Sequence, residues 1–225
     1  MENTNKEDTV GLRASTGSAY SYAWDKTWQN FLVFFLVAVV LFILEIPSAR
    51  ISPIGEDMFI PGIIILKIFG ILYGLFLYVP VDYGAKYIVL KAVRGEEFDS
   101  SDVISGFRDY LNVVLSGLLT GAIILVGIIF LIVPGIIFTC RLAFVPYLVM
   151  DKKLDAVKAV ERSWKMTKGH GWTIFLMGLL AIPIVILGLI CLIFGVIISA
   201  MWIRAAFASI YHAVDMEEQK QAVAA

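Results

Sequence analysis

Two runs of 23 residues contain no charged side chain, and they constrain the fold more than any other feature: Leu111–Val133 and Trp172–Phe194. An α-helix rises 1.5 Å per residue, so about 20 apolar residues cross the roughly 30 Å hydrocarbon core of a bilayer. The chain is 60% hydrophobic and only 16% charged, which leaves too little polar material to shield such runs from water. We therefore predict an integral membrane protein built from α-helices.

Four further apolar segments complete a set of six predicted transmembrane helices. Two of the four follow tight turns, which we predict at Pro134–Gly135 and Phe194–Gly195. The four segments are Phe31–Ile46, Pro61–Val81, Gly135–Met150 and Gly195–Val214. The predicted fold class is an all-α integral membrane protein with six transmembrane helices, between a polar N-terminal tail (1–17) and a C-terminal tail (216–225).

Basic residues are concentrated in two connecting segments, residues 82–110 and 151–171, and are absent from the two predicted turns. Short loops rich in lysine and arginine stay on the cytoplasmic side of a membrane. With six spans and both connectors inside, we expect both termini in the cytoplasm. The net charge of −1 creates no basic field for nucleic acid, so we expect no nucleic-acid partner.

The membrane domain, residues 18–215, divides into three similar units of about 18–95, 99–150 and 151–215. Each unit begins with a short segment whose apolar residues recur at helical spacing, and a transmembrane hairpin follows. Such amphipathic helices suit the cytoplasmic headgroup layer. The second and third units also share an exit, RLAF from Arg141 and RAAF from Arg204, with an aspartate ten and eleven residues later. The first unit matches less closely.

Arg141 and Arg204 are predicted to lie about 15 Å from the cytoplasmic boundary, by counting helical rise back from those aspartates. A charge near the bilayer centre costs about 3 kcal/mol on insertion scales, so it normally faces the bundle interior and finds a partner. Two interpretations are open. In one, the guanidinium groups bond to carbonyls or hydroxyls of neighbouring helices. In the other, they converge on an anion such as a lipid phosphate.

Further charged residues lie on the first two spans and on residues 151–171, which we call the third connector because it opens the third unit. Glu45 and Lys67 have a similar predicted depth, and we expect them to form an intramembrane ion pair. A basic stripe on the connector could hold anionic lipid, or could only reflect its cytoplasmic orientation. The stripe comprises Lys152, Lys153, Lys158, Arg162, Lys165 and Lys168.

The sequence shows no motif for catalysis or for a bound group. The two histidines and two cysteines lack the spacing of metal ligands. No Ser-His-Asp set, P-loop or dinucleotide-binding glycine pattern is present. We therefore expect no enzymatic activity, no metal and no cofactor.

The segment Val133–Phe175, VPGIIFTCRLAFVPYLVMDKKLDAVKAVERSWKMTKGHGWTIF, resembles bacterial membrane-protein families related to the membrane domain of glycerophosphoryl diester phosphodiesterases. The shared features are an IPG-like turn, a basic connector ending in an SW…T.G..W pattern, and a further hairpin. The resemblance implies a six-helix protein of the bacterial inner (plasma) membrane. The phosphodiesterase chemistry of those proteins belongs to a separate soluble domain, so no catalytic residue is carried over.

These observations favour a non-enzymatic multi-pass membrane protein that binds membrane lipids or a membrane-protein partner, which could be a second copy of itself. The alternative is a transporter or channel for a small anionic or lipidic substrate, because proline-broken spans and buried arginines are typical of carriers. An intramembrane enzyme is the third hypothesis, and it lacks convergent acid, base or metal groups.

Overall fold

The apolar runs form helices because hydrocarbon offers no partner to a backbone N–H or C=O, and a helix satisfies these groups within one segment. The computed structural model describes residues 13–50, 60–97, 99–190 and 192–224. Within these ranges every regular element is a helix, as the sequence predicts. Five helices are long and apolar enough to cross a membrane, or up to six if one bent pair counts as a span.

The first hairpin begins with the bent pair, α1 (Thr16–Gln29) and α2 (Phe31–Arg50), which meet at 98°. The chain returns through α3 (Ile60–Tyr73), a π-helical turn (Gly74–Tyr78) and α4 (Val79–Arg94).

Pro80 explains the π-helical turn, since its ring clashes with the carbonyl four residues earlier and its nitrogen cannot donate to it. That carbonyl belongs to Phe76, and it accepts a hydrogen bond from the Tyr110 hydroxyl at 3.1 Å. The helix continues through Pro80 to Arg94, so residues 82–94, which were predicted to follow the end of the second span at Val81, are helical.

The second hairpin contains a 3₁₀ helix (Ser100–Phe107), α5 (Tyr110–Phe130), α6 (Ile132–Arg141) and α7 (Val145–Asp151). The turn lies at Leu131, not at the predicted Pro134–Gly135. Proline is tolerated in the first turn of a helix, where its missing N–H would have no partner. Pro134 therefore lies in the first turn of α6 instead of ending a span.

The predicted fourth span is broken between Arg141 and Val145. Pro146 lies in the first turn of α7, so it cannot donate to the carbonyl of Leu142 and the α6 ladder ends there. Val145 N–H closes the break by donating to Leu142 O at 3.1 Å. The carbonyl of Arg141 therefore has no backbone donor within its own helix, and it accepts a hydrogen bond from the Ser163 hydroxyl of the next hairpin.

The third hairpin contains α8 (Ala156–Met166), α9 (Gly171–Ile190) and α10 (Leu192–Ala224). Gly169 connects α8 to α9 with a φ of 98°, a left-handed conformation that favours glycine. The last helix extends through residues predicted as a C-terminal tail. Glu217 and Glu218 on it contact His170 and Arg162, respectively.

The buried core lies where α4, α7 and the middle of α10 meet. Aromatic and methionine side chains such as Phe144, Met150 and Tyr211 fill it together with small and branched ones, and α1 and α8 cover it with alanines. The core includes Leu90, Val93, Val145, Leu148, Val149, Ala205 and Ile210. Large apolar side chains of α5 and α9 remain exposed, as expected for surfaces that face lipid.

Candidate functional site

A cleft of about 950 Å³ opens between α4, α6, α7, α9 and α10. Apolar side chains form most of its wall, and a group of charged side chains lies at one end. Its lining includes Asp82, Lys86, Cys140, Ala143, Tyr147, Gly178, Leu179, Ile182, Val185 and Arg204. We call this site the membrane cleft.

The apolar wall of the membrane cleft faces sideways from the bundle. Leu179, Ile182 and Val185 on α9 are 50%, 56% and 43% exposed, respectively. The lining positions of α9 extend from Ile174 to Val185, about 17 Å along the helix axis. The cleft is therefore an elongated apolar groove, open in the direction where a bilayer would place hydrocarbon.

Gly178 lies in the middle of this wall and keeps the groove open. A Cβ atom added there would find no heavy atom within 4 Å. No packing contact or backbone strain therefore requires glycine at this position. Its absent side chain leaves space on the cleft side of α9.

The charged end of the membrane cleft is an ionic group centred on Asp82. The Arg204 Nη1 donates to Asp82 Oδ1 at 2.7 Å, and the Lys86 Nζ lies 2.7 Å from Asp82 Oδ2. The three side chains retain exposed fractions of 23%, 28% and 13% for Arg204, Lys86 and Asp82. Two cations against one carboxylate leave one net positive charge at this end.

The pairing of Asp82 with Arg204 follows from the continuity of α4. Asp82 lies 12 residues before Arg94, and Arg204 lies 11 residues before Asp215, or about 18 and 16 Å of helix. Arg94 and Asp215 approach to 3.6 Å, so the two helices are linked at both levels. The similar spacings of Asp82 to Arg94 and of Arg204 to Asp215 can be read from the sequence. The sequence interpretation did not pair these residues, because it placed the end of the second span at Val81.

A second ionic cluster ties the helix ends together beyond the membrane cleft. Arg94 contacts Asp151 through both terminal nitrogens, and Tyr211 Oη donates to Asp151 Oδ2 at 2.9 Å. Lys152 Nζ lies 3.1 Å from Asp215 Oδ2. We call these residues the Arg94 cluster, and its contacts are internal to the protein.

Arg141 lies in a different environment from Arg204. Its guanidinium carbon is 5.8 Å from the centre of the Trp164 ring, and its carbonyl accepts a hydrogen bond from Ser163 Oγ at 2.7 Å. Its Nη1 is buried and finds no hydrogen-bond acceptor among the described residues. The structure thus places Arg204 in the membrane cleft and Arg141 against α8, and it does not bring the two into one site.

The predicted pair of Glu45 and Lys67 is only half described. Lys67 is exposed on α3, whereas the side chain of Glu45 lies outside the described residues. The ion pair therefore stays a prediction.

Residues of the predicted basic stripe differ in their surroundings. Lys158 pairs with Asp155 at 2.9 Å, and Arg162 pairs with Glu218. Lys153 lies 5.6 Å from the centre of the Tyr87 ring. Lys165 and Lys168 are exposed. Part of the stripe is thus engaged within the protein, and part of it faces outward.

Another ion pair lies where the first hairpin ends and the second begins. Lys91 Nζ on α4 is 2.8 Å from Asp102 Oδ2 on the 3₁₀ helix. Burial raises the pKa of Asp102, but the hydrogen bonds from Lys91 and from the Asp99 N–H outweigh burial and hold the pKa below its usual value. This pair fixes the 3₁₀ helix against α4.

The described residues contain no group of three or more His, Cys, Asp or Glu side chains that could hold a metal ion. Comparisons with protein families, curated proteins and solved structures find no match to this chain.

Proposed function

We propose that this chain is a non-enzymatic multi-pass membrane protein that binds a membrane lipid in the membrane cleft. The observation that supports the proposal is an apolar groove, open to the side of the bundle, with Asp82, Lys86 and Arg204 at one end. A lipid has the matching division into an apolar chain and a polar head. Ligand sites of this kind combine an apolar wall with a few placed polar groups.

The proposed setting is the bacterial inner membrane, with six spans arranged in three repeated units and both termini in the cytoplasm. The contacts of α10 with the third connector support a shared side for these segments, because Glu218 meets Arg162 and Glu217 meets His170. The basic residues favour the cytoplasmic side.

An interfacial role for α8 belongs to the same proposal. Its buried face consists of three small side chains and Met166, while Val157 and Trp164 remain exposed on one side and Lys158 and Lys165 on another. Aromatic and basic residues on one short helix suit the headgroup layer.

Native mass spectrometry of the purified protein tests the proposal. We expect lipid to remain bound to the wild-type chain and to be lost from Gly178→Leu, which fills the groove. Gly121→Leu is the matched control, since a Cβ at Gly121 on α5 also meets nothing within 4 Å and this residue does not line the membrane cleft. Equal lipid retention by both variants would overturn the assignment to the cleft. A doubled mass in the same spectra would identify a second copy as a partner.

Transport of a lipidic or small anionic substrate is a second candidate function, favoured by the break between α6 and α7. Cys140 and Ala143 line the membrane cleft on both sides of Arg141 and Leu142, so the cleft adjoins the interrupted span. Interrupted helices near a binding site are typical of carriers. Proteoliposomes with a fluorescent lipid would show faster movement between leaflets than protein-free liposomes. An unchanged rate would exclude lipid transport.

A further inference from the structure

We infer that the membrane cleft selects an anionic phospholipid whose phosphate is held by Lys86 and Arg204. The inference rests on the proposed lipid-binding function and adds the class of headgroup. It depends on the geometry of the charged end, not on the apolar wall, which would accept the acyl chain of any phospholipid.

Charge complementarity gives the sign of the headgroup. Lys86 and Arg204 carry two positive charges, and Asp82 carries one negative charge, so a headgroup with one net negative charge completes the balance. No other charged residue lines the cleft in the part of the chain that the structure describes. In a low-dielectric site an unbalanced charge is costly, and a phosphate monoanion removes that cost.

The same charges disfavour a zwitterionic headgroup such as phosphocholine. Its quaternary ammonium would need a carboxylate, and both oxygens of Asp82 are already engaged by Arg204 and Lys86. A headgroup that brings its own cation therefore leaves the positive charge of the site uncompensated.

Donor capacity on the two cations allows them to bind phosphate without leaving Asp82. A lysine ammonium has three N–H donors and a guanidinium has five, and the contacts with Asp82 involve one lysine Nζ and one arginine Nη, which leaves further N–H donors on both cations. Both side chains line the cleft and are partly exposed, at 28% for Lys86 and 23% for Arg204. Both cations contact oxygens of the same carboxylate, so their charged groups converge at one end of the cleft, where the proposed phosphate would contact both.

Lys86 also lies on the side from which a headgroup would approach. It is one helical turn beyond Asp82 toward Arg94, where the basic connectors gather. A phospholipid in that leaflet would meet Lys86 first and place its chain along Leu179, Ile182 and Val185.

Competition between two lipids with identical chains tests the inference. Purified protein is exposed to equal amounts of phosphatidylglycerol and phosphatidylcholine, and the bound ratio is measured by native mass spectrometry. We expect roughly a tenfold preference for phosphatidylglycerol in the wild type, as charge-assisted hydrogen bonds would give. Lys86→Gln and Arg204→Gln each reduce the preference toward unity, whereas Asp82→Asn increases it. Lys220→Gln, an exposed lysine away from the cleft, keeps the wild-type ratio.

The outcomes separate this inference from the function on which it rests. Lipid binding with no headgroup preference overturns the inference and leaves the lipid-binding proposal intact. Loss of all lipid from the wild type overturns both. If Arg204→Gln does not fold, Lys86→Gln and the charge-conserving Arg204→Lys decide the question. Displacement of phosphatidylglycerol by millimolar inorganic phosphate would also overturn the inferred selection of an anionic phospholipid, because the site would then bind a free anion and not a lipid.

Discussion

The guanidinium of Arg94 meets the carboxylate of Asp151 at two points, with Nη1–Oδ1 at 2.6 Å and Nη2–Oδ2 at 2.9 Å. The contact joins α4 of the first hairpin to α7 of the second. Asp215 of the third hairpin lies 3.6 Å from the same guanidinium. One arginine therefore links the returning helices of all three hairpins, in the geometry that makes arginine a strong partner for carboxylates.

Removal of this carboxylate is predicted to destabilise the protein strongly. The two side chains are only 13% and 10% exposed. Asp151→Ala therefore removes the bidentate partner of a nearly buried guanidinium and leaves it only longer contacts, with His212 Nδ1 at 3.4 Å and with Glu96 and Asp215 at 3.6 Å. Breaking a buried pair by removing one member costs about 3–5 kcal/mol. We expect a clear fall in the unfolding temperature in detergent. Lys158→Ala is the control, because its pair with Asp155 is solvent-exposed and its loss should leave that temperature unchanged.

The link between α8 and the broken fourth span gives a second prediction. Ser163 Oγ donates to the free carbonyl of Arg141 at 2.7 Å, and Ser163 is fully buried. Ser163→Ala leaves the carbonyl dependent on the longer 3.4 Å contact from Thr167 Oγ1 and should cost about 1–3 kcal/mol. Thermal unfolding measures the loss. Val157→Ala, an exposed site on the same helix, should change stability by less than about 0.5 kcal/mol. Equal effects of the two substitutions would contradict the capping role of Ser163.

The SW…T.G pattern shows what a sequence conveys and what it omits. Ser163, Trp164, Thr167 and Gly169 were singled out in the sequence as the SW…T.G part of the connector. The role of each residue is visible only in the tertiary structure. The hydroxyls of Ser163 and Thr167 contact the Arg141 carbonyl, and the Trp164 indole lies beside the Arg141 guanidinium. Gly169 adopts the left-handed conformation of the turn. Local sequence propensity does not indicate that these residues contact a helix break about 20 residues earlier in the chain.

The helical fold could be predicted because it depends on composition along single segments. The runs beginning at Leu111 and Trp172 need no tertiary information to be apolar helices. Helix ends were predicted less well, since Val81, Pro134 and Gly195 were interpreted as boundaries although all three lie inside helices. The membrane cleft could not be predicted, because it forms where residues from five helices meet.

The tight hairpin of α5 and α6 gives a third prediction, with opposite signs at two glycines. A Cβ on Gly135 would lie 3.1 Å from the backbone N and Cα of Ile128, so Gly135→Ala must push the two helices apart. Gly121 on α5 has nothing within 4 Å of its Cβ position, so Gly121→Ala should be neutral or stabilise by about 0.5–1 kcal/mol. Unfolding temperatures of the two variants test this. A loss of stability in Gly121→Ala, or none in Gly135→Ala, would contradict the packing.

Asp102 predicts a specific pH dependence. Its folded pKa is lowered, so its pair with Lys91 contributes stability that is present above the unfolded pKa of about 4 and is lost as pH falls through the folded pKa. The wild type should therefore be more stable than Asp102→Asn at neutral pH, and the difference should shrink below about pH 4. Unfolding temperatures of both proteins between pH 3 and pH 7 give the comparison. A difference that grows on acidification would contradict the sign.

The gathering of the third connector and α10 at one end of the bundle gives the last prediction, on orientation. In a chain with Cys140 and Cys191 replaced by serine, single cysteines are introduced as Lys158→Cys, Lys220→Cys and Leu131→Cys. These sites are exposed, and Leu131 lies at the opposite hairpin turn. A membrane-impermeant maleimide on intact bacterial spheroplasts should label only Leu131→Cys, because basic connectors stay inside. Labelling of Lys158→Cys and Lys220→Cys together would reverse the orientation but keep the fold. Labelling of only one of these two would contradict the contact between Arg162 and Glu218 that places both segments on one side.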